Sequence, residues 1–277
     1  MNTPLISIIL PTYNGAQFIG AAIKSVLSQT YTQWELLVIS DGSTDNTEDV
    51  VAQFTSKDSR ISYMFNEQNL GIQKTLNKGI SIARGKYIAR LDDDDRWIDA
   101  SKLAMQVTHL EAYPECVLVG TDAIVMNGAG VALSKNIMPK SDKTIRAKML
   151  SKNCFLHATV VFRKSAIDNV GGYSESSSTL HAEDYDLWLR LGTQGMVENL
   201  PLYSTALIAR ESSLTSLNRV LQAKNIVSLI SQYKTQYPNF IFGYCVSLLR
   251  YAFFVITSVI PFPRKLMYSM QRIYRAI

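Results

Sequence analysis

"LISIILPTYNGAQFIGAAIKSVLSQTYTQWELLVIS", residues 5–40, changes hydrophobic period twice. The first six residues form a continuous apolar run, the pattern of a strand covered on both faces. After the turn PTYNG, Phe18, Ala22 and Val26 with Ala21 and Ser25 fall on one helical stripe, and WELLVIS (34–40) reads as a second buried strand. Strand, helix and strand in so short a span make a βαβ unit. The scheme recurs downstream. DGSTDNT leads into a second helix, where Asp45 and Glu48 have the spacing of a capping pair. ISYMF (61–65) is a strand, IQKTLNKGISIA (72–83) a helix and KYIARL (86–91) a strand. This alternation predicts an α/β fold with a Rossmann-like, mostly parallel sheet and helices on both faces. Ligands in such sheets bind outside the carboxyl ends of the strands, where PTYN, DGS and DDDD fall.

From residue 116 the rhythm changes. CVLVGTDAIVMNGAGVAL reads as two strands joined at NGAG, LHATVVF (156–162) as a later strand, and LYSTALIAR (202–210) as a strand near the end of the body, extending the sheet in mixed orientation. AEDYDLWLRLG (182–192) is a helix stopped at Gly192. Residues 216–237 form an amphipathic helix ended by Pro238. The expected division is an α/β domain over 1–215 and a helical C-terminal region over 216–277.

A chain of 277 residues, 47% hydrophobic and 18% charged, is long enough for one large domain with an appendage and too rich in apolar residues to be disordered. Three scattered cysteines suggest neither a disulfide framework nor a zinc knuckle and fit a reducing compartment. The N-terminus lacks the basic and long apolar regions of a cleaved leader, so a cytoplasmic body is expected. Net charge is +5, but residues 241–277 carry five basic residues and no acid, which leaves 23 basic against 23 acidic in the body. That argues against a nucleic-acid surface and for a local partner at the tail. IFGYCVSLLRYAFFVITSVI (241–260) is interrupted only by Arg250. Three readings stand: a helix in the interface of an anionic membrane, broken by Pro261 and Pro263; a helical pair packed on the body; or a span, in which Arg250 would cost at least about 2.5 kcal/mol.

ARLDDDDRW (89–97) crowds four carboxylates after a buried strand. At about 5 Å and an effective dielectric of about 20, each neighbouring pair repels by roughly 3 kcal/mol. A divalent cation, Mn²⁺ or Mg²⁺, shared with substrate phosphates would offset this. Asp92 and Asp94 have the DxD spacing, which on an extended segment aims both to one side. The other reading is a solvated turn neutralised by Arg90 and Arg96. Asp41, before Gly42, can accept from a base N–H or a ribose hydroxyl, or simply make a turn. Asp184, Leu187, Trp188 and Leu191 share a helical face, so Asp184 points inward, while Asp186 and Arg190 make an i,i+4 pair. Asp184 also suits the first turn of a helix through the dipole alone. His157 alternates with apolar residues in its expected strand and is either a satisfied core histidine or a group near the metal. Lys74 and Arg210 are candidates for the substrate phosphates, or surface charges.

In their order, PTYNG through DGSTDNT, NLGIQKTLNKGI, ARGKYIARLDDDD, GGY and AEDYDLWLRL resemble the family 2 inverting glycosyltransferases of the GT-A fold, over about residues 5–215. The resemblance implies transfer from a nucleoside-diphosphate sugar, UDP-linked by expectation, to a hydroxyl of a glycan or glycolipid. It points to bacterial envelope polysaccharide or lipopolysaccharide synthesis at the inner face of the cytoplasmic membrane. It assigns Pro11, Thr12, Tyr13 and Asp41, with Lys74, Asp92 and Asp93, to the nucleotide; Asp94 with Asp92 to the metal; and Asp184 to the general base. Asp95, His157, Glu183 and Arg210 stand as possible diphosphate or acceptor contacts, with GGYSE (171–175) as a loop beside the acceptor. The chain departs from the family pattern in having Ser40 where a second Asp is frequent, and Asp93 where a small residue is usual. A nucleotide-sugar pyrophosphorylase would need a Gly-rich basic loop that PTYNGAQF lacks. A non-catalytic carbohydrate-binding scaffold is disfavoured by intact Asp41, Asp92, Asp94 and Asp184.

Overall fold

The computed structural model of the chain describes residues 3–209 and 218–259. Its first half follows the expected alternation: β1 (Ile6–Thr12), α1 (Ile19–Leu27), β2 (Trp34–Ser40), α2 (Thr47–Thr55), β3 (Ile61–Phe65), α3 (Ile72–Ile82) and β4 (Tyr87–Arg90). β1 lies between β2 and β4, and β2 pairs with β3, all parallel, so their carboxyl ends open on one side. Both β1 and β2 are buried along their whole length. Ile6, Ile8, Leu10, Leu36 and Val38 pack with α1 and Val51 of α2, while Ile9, Leu37, Ile39 and Ile88 join Leu76 and Ile80 of α3. Two cores, one on each face, are why these strands read as apolar runs.

The second half comprises β5 (Arg96–Trp97), α4 (Lys102–Ala112), β6 (Cys116–Met126), β7 (Ala132–Asn136), α5 (Asp142–Lys148), a 3₁₀ turn (His157–Thr159), β8 (Val161–Arg163), α6 (Lys164–Val170), α7 (Glu183–Leu191) and β9 (Met196–Ile208). The nine-stranded sheet runs β3-β2-β1-β4-β8-β6-β9-β5, with β7 paired to β6. β8 is antiparallel to β4 and β6, and β6 is parallel to β9. The carboxyl ends of β4, β6 and β9 and the entry to β8 therefore share the side on which β1 and β2 end. β6 and β7 make the hairpin expected at NGAG.

Two local expectations are corrected. Only residues 161 and 162 of LHATVVF are strand, because Thr159 folds back on Leu156, its N–H and hydroxyl both donating to that carbonyl (2.9 and 2.8 Å). His157 thus sits in a tight turn rather than a ladder. Asp45 and Glu48 do not form a capping box. Thr47 opens α2, and the Asp45 carboxylate is used by Thr47 N–H (3.1 Å) and Ala16 N–H (3.1 Å).

α8 (Arg219–Ser231) and α9 (Phe240–Val259) follow. Leu229, Ile230 and Tyr237 enter the same core as α7, and the Tyr237 hydroxyl donates to the Leu189 carbonyl (2.8 Å). Arg210, the expected boundary at 215/216 and residues 260–277 lie outside the described residues.

Candidate active site

The loops leaving β1 and β2 are stapled to each other. Asn14 N–H donates to Ser43 Oγ (3.0 Å), Thr44 N–H to Asn14 Oδ1 (2.8 Å) and Gly15 N–H to Thr47 Oγ1 (3.0 Å). Pro11 and Thr12 are buried at the end of β1, whereas the Tyr13 side chain stands 52% exposed at the rim. Thr12 Oγ1 donates to Asp93 Oδ2 (2.6 Å), tying the first strand to the acidic segment. Gly15 passes so close to this pair that a Cβ there would lie 2.2 Å from Asp93 Oδ2 and 2.3 Å from Thr12 Oγ1. Gly15→Ala is therefore expected to break the pair and cost about 1–3 kcal/mol in denaturant titration.

Asp41 is buried, and its carboxylate accepts from Asn66 Nδ2 (2.9 Å), Leu70 N–H (2.8 Å) and Gly71 N–H (2.9 Å). Most of its acceptor capacity is thus spent inside the protein, holding the 66–71 loop over the end of β2. Lys78 Nζ joins the network through Asn66 Oδ1 (2.8 Å). Asp41→Ala would leave these donors without their acceptor. A loss of about 2–4 kcal/mol of stability is expected by chemical unfolding, with a much smaller loss for a surface Asp such as Asp49.

The four aspartates are not extended, as the DxD reading required. Asp95 N–H donates to the Asp92 carbonyl (3.2 Å), closing a turn that sends the side chains different ways. Asp92 Oδ1 pairs with Arg90 (2.5 Å), Asp93 meets Thr12, and buried Asp95 accepts from Ile208 N–H (3.0 Å) at the end of β9. Asp92, Asp93 and Asp94 remain half-buried at the sheet edge. Burial, then the charges of Asp92 and Asp94, hold the Asp95 carboxyl well above the usual carboxylate range. The donors are all carboxylate oxygen, the chemistry a hard divalent cation takes, and Asp92 and Asp94 are the pair that could hold Mn²⁺ or Mg²⁺.

α7 delivers the other acids. Leu187, Trp188 and Leu191 are fully buried, so the face they share with Asp184 turns inward as the spacing required. Asp184 Oδ1 accepts from Tyr185 N–H (2.7 Å) and Oδ2 from Asn153 Nδ2 (2.9 Å). Burial pushes its pKa up to about 6, against these two hydrogen bonds and with help from the charge of Asp92. Burial and the Asp184 charge push Glu183 up to about 7. Beside them, His157 Nε2 meets the Tyr173 hydroxyl (2.7 Å). Its imidazole is held neutral, down to about 3, first by burial and then by Arg90. Glu183 Oε2, Trp188 Nε1 and Arg90 Nε are buried without a hydrogen-bond partner, an arrangement that leaves polar atoms for a ligand or water to satisfy.

Thr12, Asp92, Asp93 and Asp95 are thus linked at one edge, and the charge of Asp92 reaches Glu183, Asp184 and His157. Lys74 is exposed in the first turn of α3. The GGYSE loop is fixed by Asn77, which bonds Tyr173 at both N–H and carbonyl, and by Arg190 to the Gly172 carbonyl. Asp186 and Arg190 form the expected ion pair (2.6 Å). Sequence reasoning missed Asn153, which carries no local signal, and singled out Tyr173 only as part of the GGYSE loop. Arg90 it noted only as a neutralising charge; an arginine ending a buried strand was the available clue.

The class follows from the fold. The chain superposes on S. aureus TarS in complex with UDP-GlcNAc at a TM-score of 0.68, with 20% identity over 88% of this chain and 72% of that one. On a mannosyltransferase, PcManGT from Pyrobaculum calidifontis in complex with GDP-Man and Mn²⁺, the TM-score is 0.66, with 15% identity over 100% and 81%. The fold is of the GT-A glycosyltransferase type. The sequence model "Glycosyl transferase family 2" matches residues 7–171, and the chain belongs to that family. A relative in Escherichia coli, UDP-Glc:alpha-D-GlcNAc-diphosphoundecaprenol beta-1,3-glucosyltransferase WfgD, is 38% identical over 192 residues, 69% of this chain and 71% of the relative.

Proposed function

We propose that the chain is an inverting, divalent-metal-dependent glycosyltransferase that moves a sugar from a UDP-linked donor to a hydroxyl of a lipid-linked glycan during bacterial envelope polysaccharide or lipopolysaccharide assembly. The observation that carries the reading is Asp184. It is an inward carboxylate at the head of α7, raised to about 6 yet ionised at neutral pH, near enough to the acidic turn to feel the charge of Asp92. Such a group takes a proton from an acceptor hydroxyl as it attacks the anomeric carbon, a role worth about 10²–10⁴ in rate. A single backside displacement inverts the centre.

Asn153 and Tyr185 N–H hold the Asp184 carboxylate in place. Pro11, Thr12 and Tyr13 shape the nucleotide pocket, and Asp41 acts there by fixing the 66–71 loop. Asp92 and Asp94 would hold the Mn²⁺ or Mg²⁺, and the ion when bound supplies positive charge to the departing diphosphate. Asp93 and Asp95 anchor the turn from below, and Lys74 and Arg210 are assigned to the diphosphate side. His157, neutral and bonded to Tyr173, and Glu183 line the acceptor side. The UDP-sugar donor and the lipid-linked acceptor in the printed name of the E. coli relative support the same classes here. The apolar C-terminal helix supports a place at the cytoplasmic face of a membrane, with residues 216–277 as the appended region.

The test is a panel of UDP-, GDP- and TDP-sugars with Mn²⁺, scored by melting temperature and then by transfer to a lipid-linked acceptor. A UDP-sugar is expected to give the largest rise, abolished by chelator. A GDP- or TDP-sugar doing so would reassign the donor.

A further inference from the structure

α9 is, among the described residues, the one helix long and apolar enough to cross a membrane, yet little of it is buried. At about 100° per residue its exposed large residues, Ile241, Phe242, Leu248, Leu249, Ile256 and Val259, fall within about 120° of arc. Cys245 and Ala252 complete that stripe, which runs about 30 Å without a charge. The opposite side is taken by the body. Gly243 lies so close to Leu150 that a Cβ would meet its carbonyl oxygen at 2.5 Å, Ser247 is buried, and Arg250 donates to the Ser151 carbonyl (3.2 Å). The helix is therefore laid side-on along the body over about two turns, and its one charge is turned away from the apolar stripe.

The segment it lies on is the one that holds the candidate base. The Tyr185 hydroxyl donates to the Met149 carbonyl, α9 touches Leu150 and Ser151, and Asn153 reaches Asp184. Residues 149–153 are thus clamped between α7 and α9.

We propose that the exposed stripe of α9 docks in the interface of an anionic bilayer, lying on it rather than spanning it, and that this docking steadies residues 149–153 beneath Asp184. Lipid is the occupant because the chain continues past Val259 with Arg264, Lys265, Arg272 and Arg275 and no acid, a complement to anionic headgroups. A span would carry the helix away from the body surface that Gly243, Ser247 and Arg250 contact. This deepens the membrane-facing reading above, and its test needs no transfer assay, so the two fail separately.

The full chain is floated with vesicles of equal parts phosphatidylglycerol and phosphatidylcholine, and with phosphatidylcholine alone. Binding to the anionic vesicles is expected, at least about tenfold weaker for Leu249→Glu with Ile256→Glu at unchanged melting temperature. Leu249→Ser with Ile256→Ser serves if the charged pair does not fold. Bound protein should be stripped by alkaline carbonate, and hydrogen exchange at 149–153 should slow on vesicles. Absence of flotation, equal flotation of the variants, or carbonate resistance would overturn the docking mode. A lipid-free dimer dissolved by the same substitutions, without vesicle binding, would assign the stripe to a second copy. Unchanged exchange at 149–153 in the bound state would overturn the coupling.

Discussion

Asp184→Asn is expected to cut sugar transfer by about 10²–10⁴ and, at the same time, to make the folded chain more stable at pH 8. The two effects have one cause. Burial, opposed by the Tyr185 N–H and Asn153 hydrogen bonds and reinforced by Asp92, raises this carboxyl from its ordinary value to about 6. The folded chain therefore holds the proton to higher pH than the unfolded chain does, so ionisation costs folding free energy. The cost is absent below about pH 4, grows between about pH 4 and 6, and is complete above. Two units correspond to about 3 kcal/mol, and with Glu183, Asp92, Arg90 and Tyr173 all facing the same region the expected gain for Asp184→Asn at pH 8 is on the order of 1–3 kcal/mol. Urea unfolding in chelator at pH 8 and pH 4 checks it: the variant should be the more stable at pH 8 and level with the parent at pH 4. The same shift predicts that kcat of the parent falls below about pH 6 as the base is protonated. A variant that retains transfer would remove Asp184 from the role.

The second large effect is expected on withholding the divalent ion proposed above. Chelation, or Asp94→Ala with the ion present, is expected to lower transfer by about 10³, since several kcal/mol of charge stabilisation at the leaving group disappear. Arg90 is the cation paired with Asp92, and Asp95 is already driven toward its protonated form by burial and then by the charges of Asp92 and Asp94. Mn²⁺ and UDP together at about 100 times their dissociation constant should stabilise the fold by about 2.7 kcal/mol, read as a rise in melting temperature. Asp94→Ala should abolish most of that rise.

What could be read from the sequence follows the range of the interactions involved. β1 to β4 were legible because each is an apolar run or period flanked by turn residues, a local signal. The inward face of Asp184 was legible for the same reason, since Leu187, Trp188 and Leu191 repeat at helical spacing and are all fully buried. The acidic run was legible as charge but not as shape. Its turn is anchored by Thr12, 81 residues before Asp93, and by Ile208, 113 residues after Asp95, and no local pattern encodes those contacts. Asp41 was visible as a candidate, but the loop it holds was not; its partners Leu70 and Gly71 lie 29 and 30 residues away. β5, two residues long, and the 3₁₀ turn at His157 are set by tertiary pairing against runs that favour other readings. Asn153 is the clearest omission, an unremarkable polar residue that matters only because α7 brings Asp184 to it.

Isothermal titration of a UDP-sugar into the full chain, with Mn²⁺ and again in chelator, puts the acidic turn to the most direct trial. Affinity should fall at least about tenfold without the ion, and Asp92→Asn with Asp94→Asn should bind weakly in both buffers. Equal affinity in the two buffers, or a double variant that still responds to Mn²⁺ as the parent does, would contradict the assignment of Asp92 and Asp94.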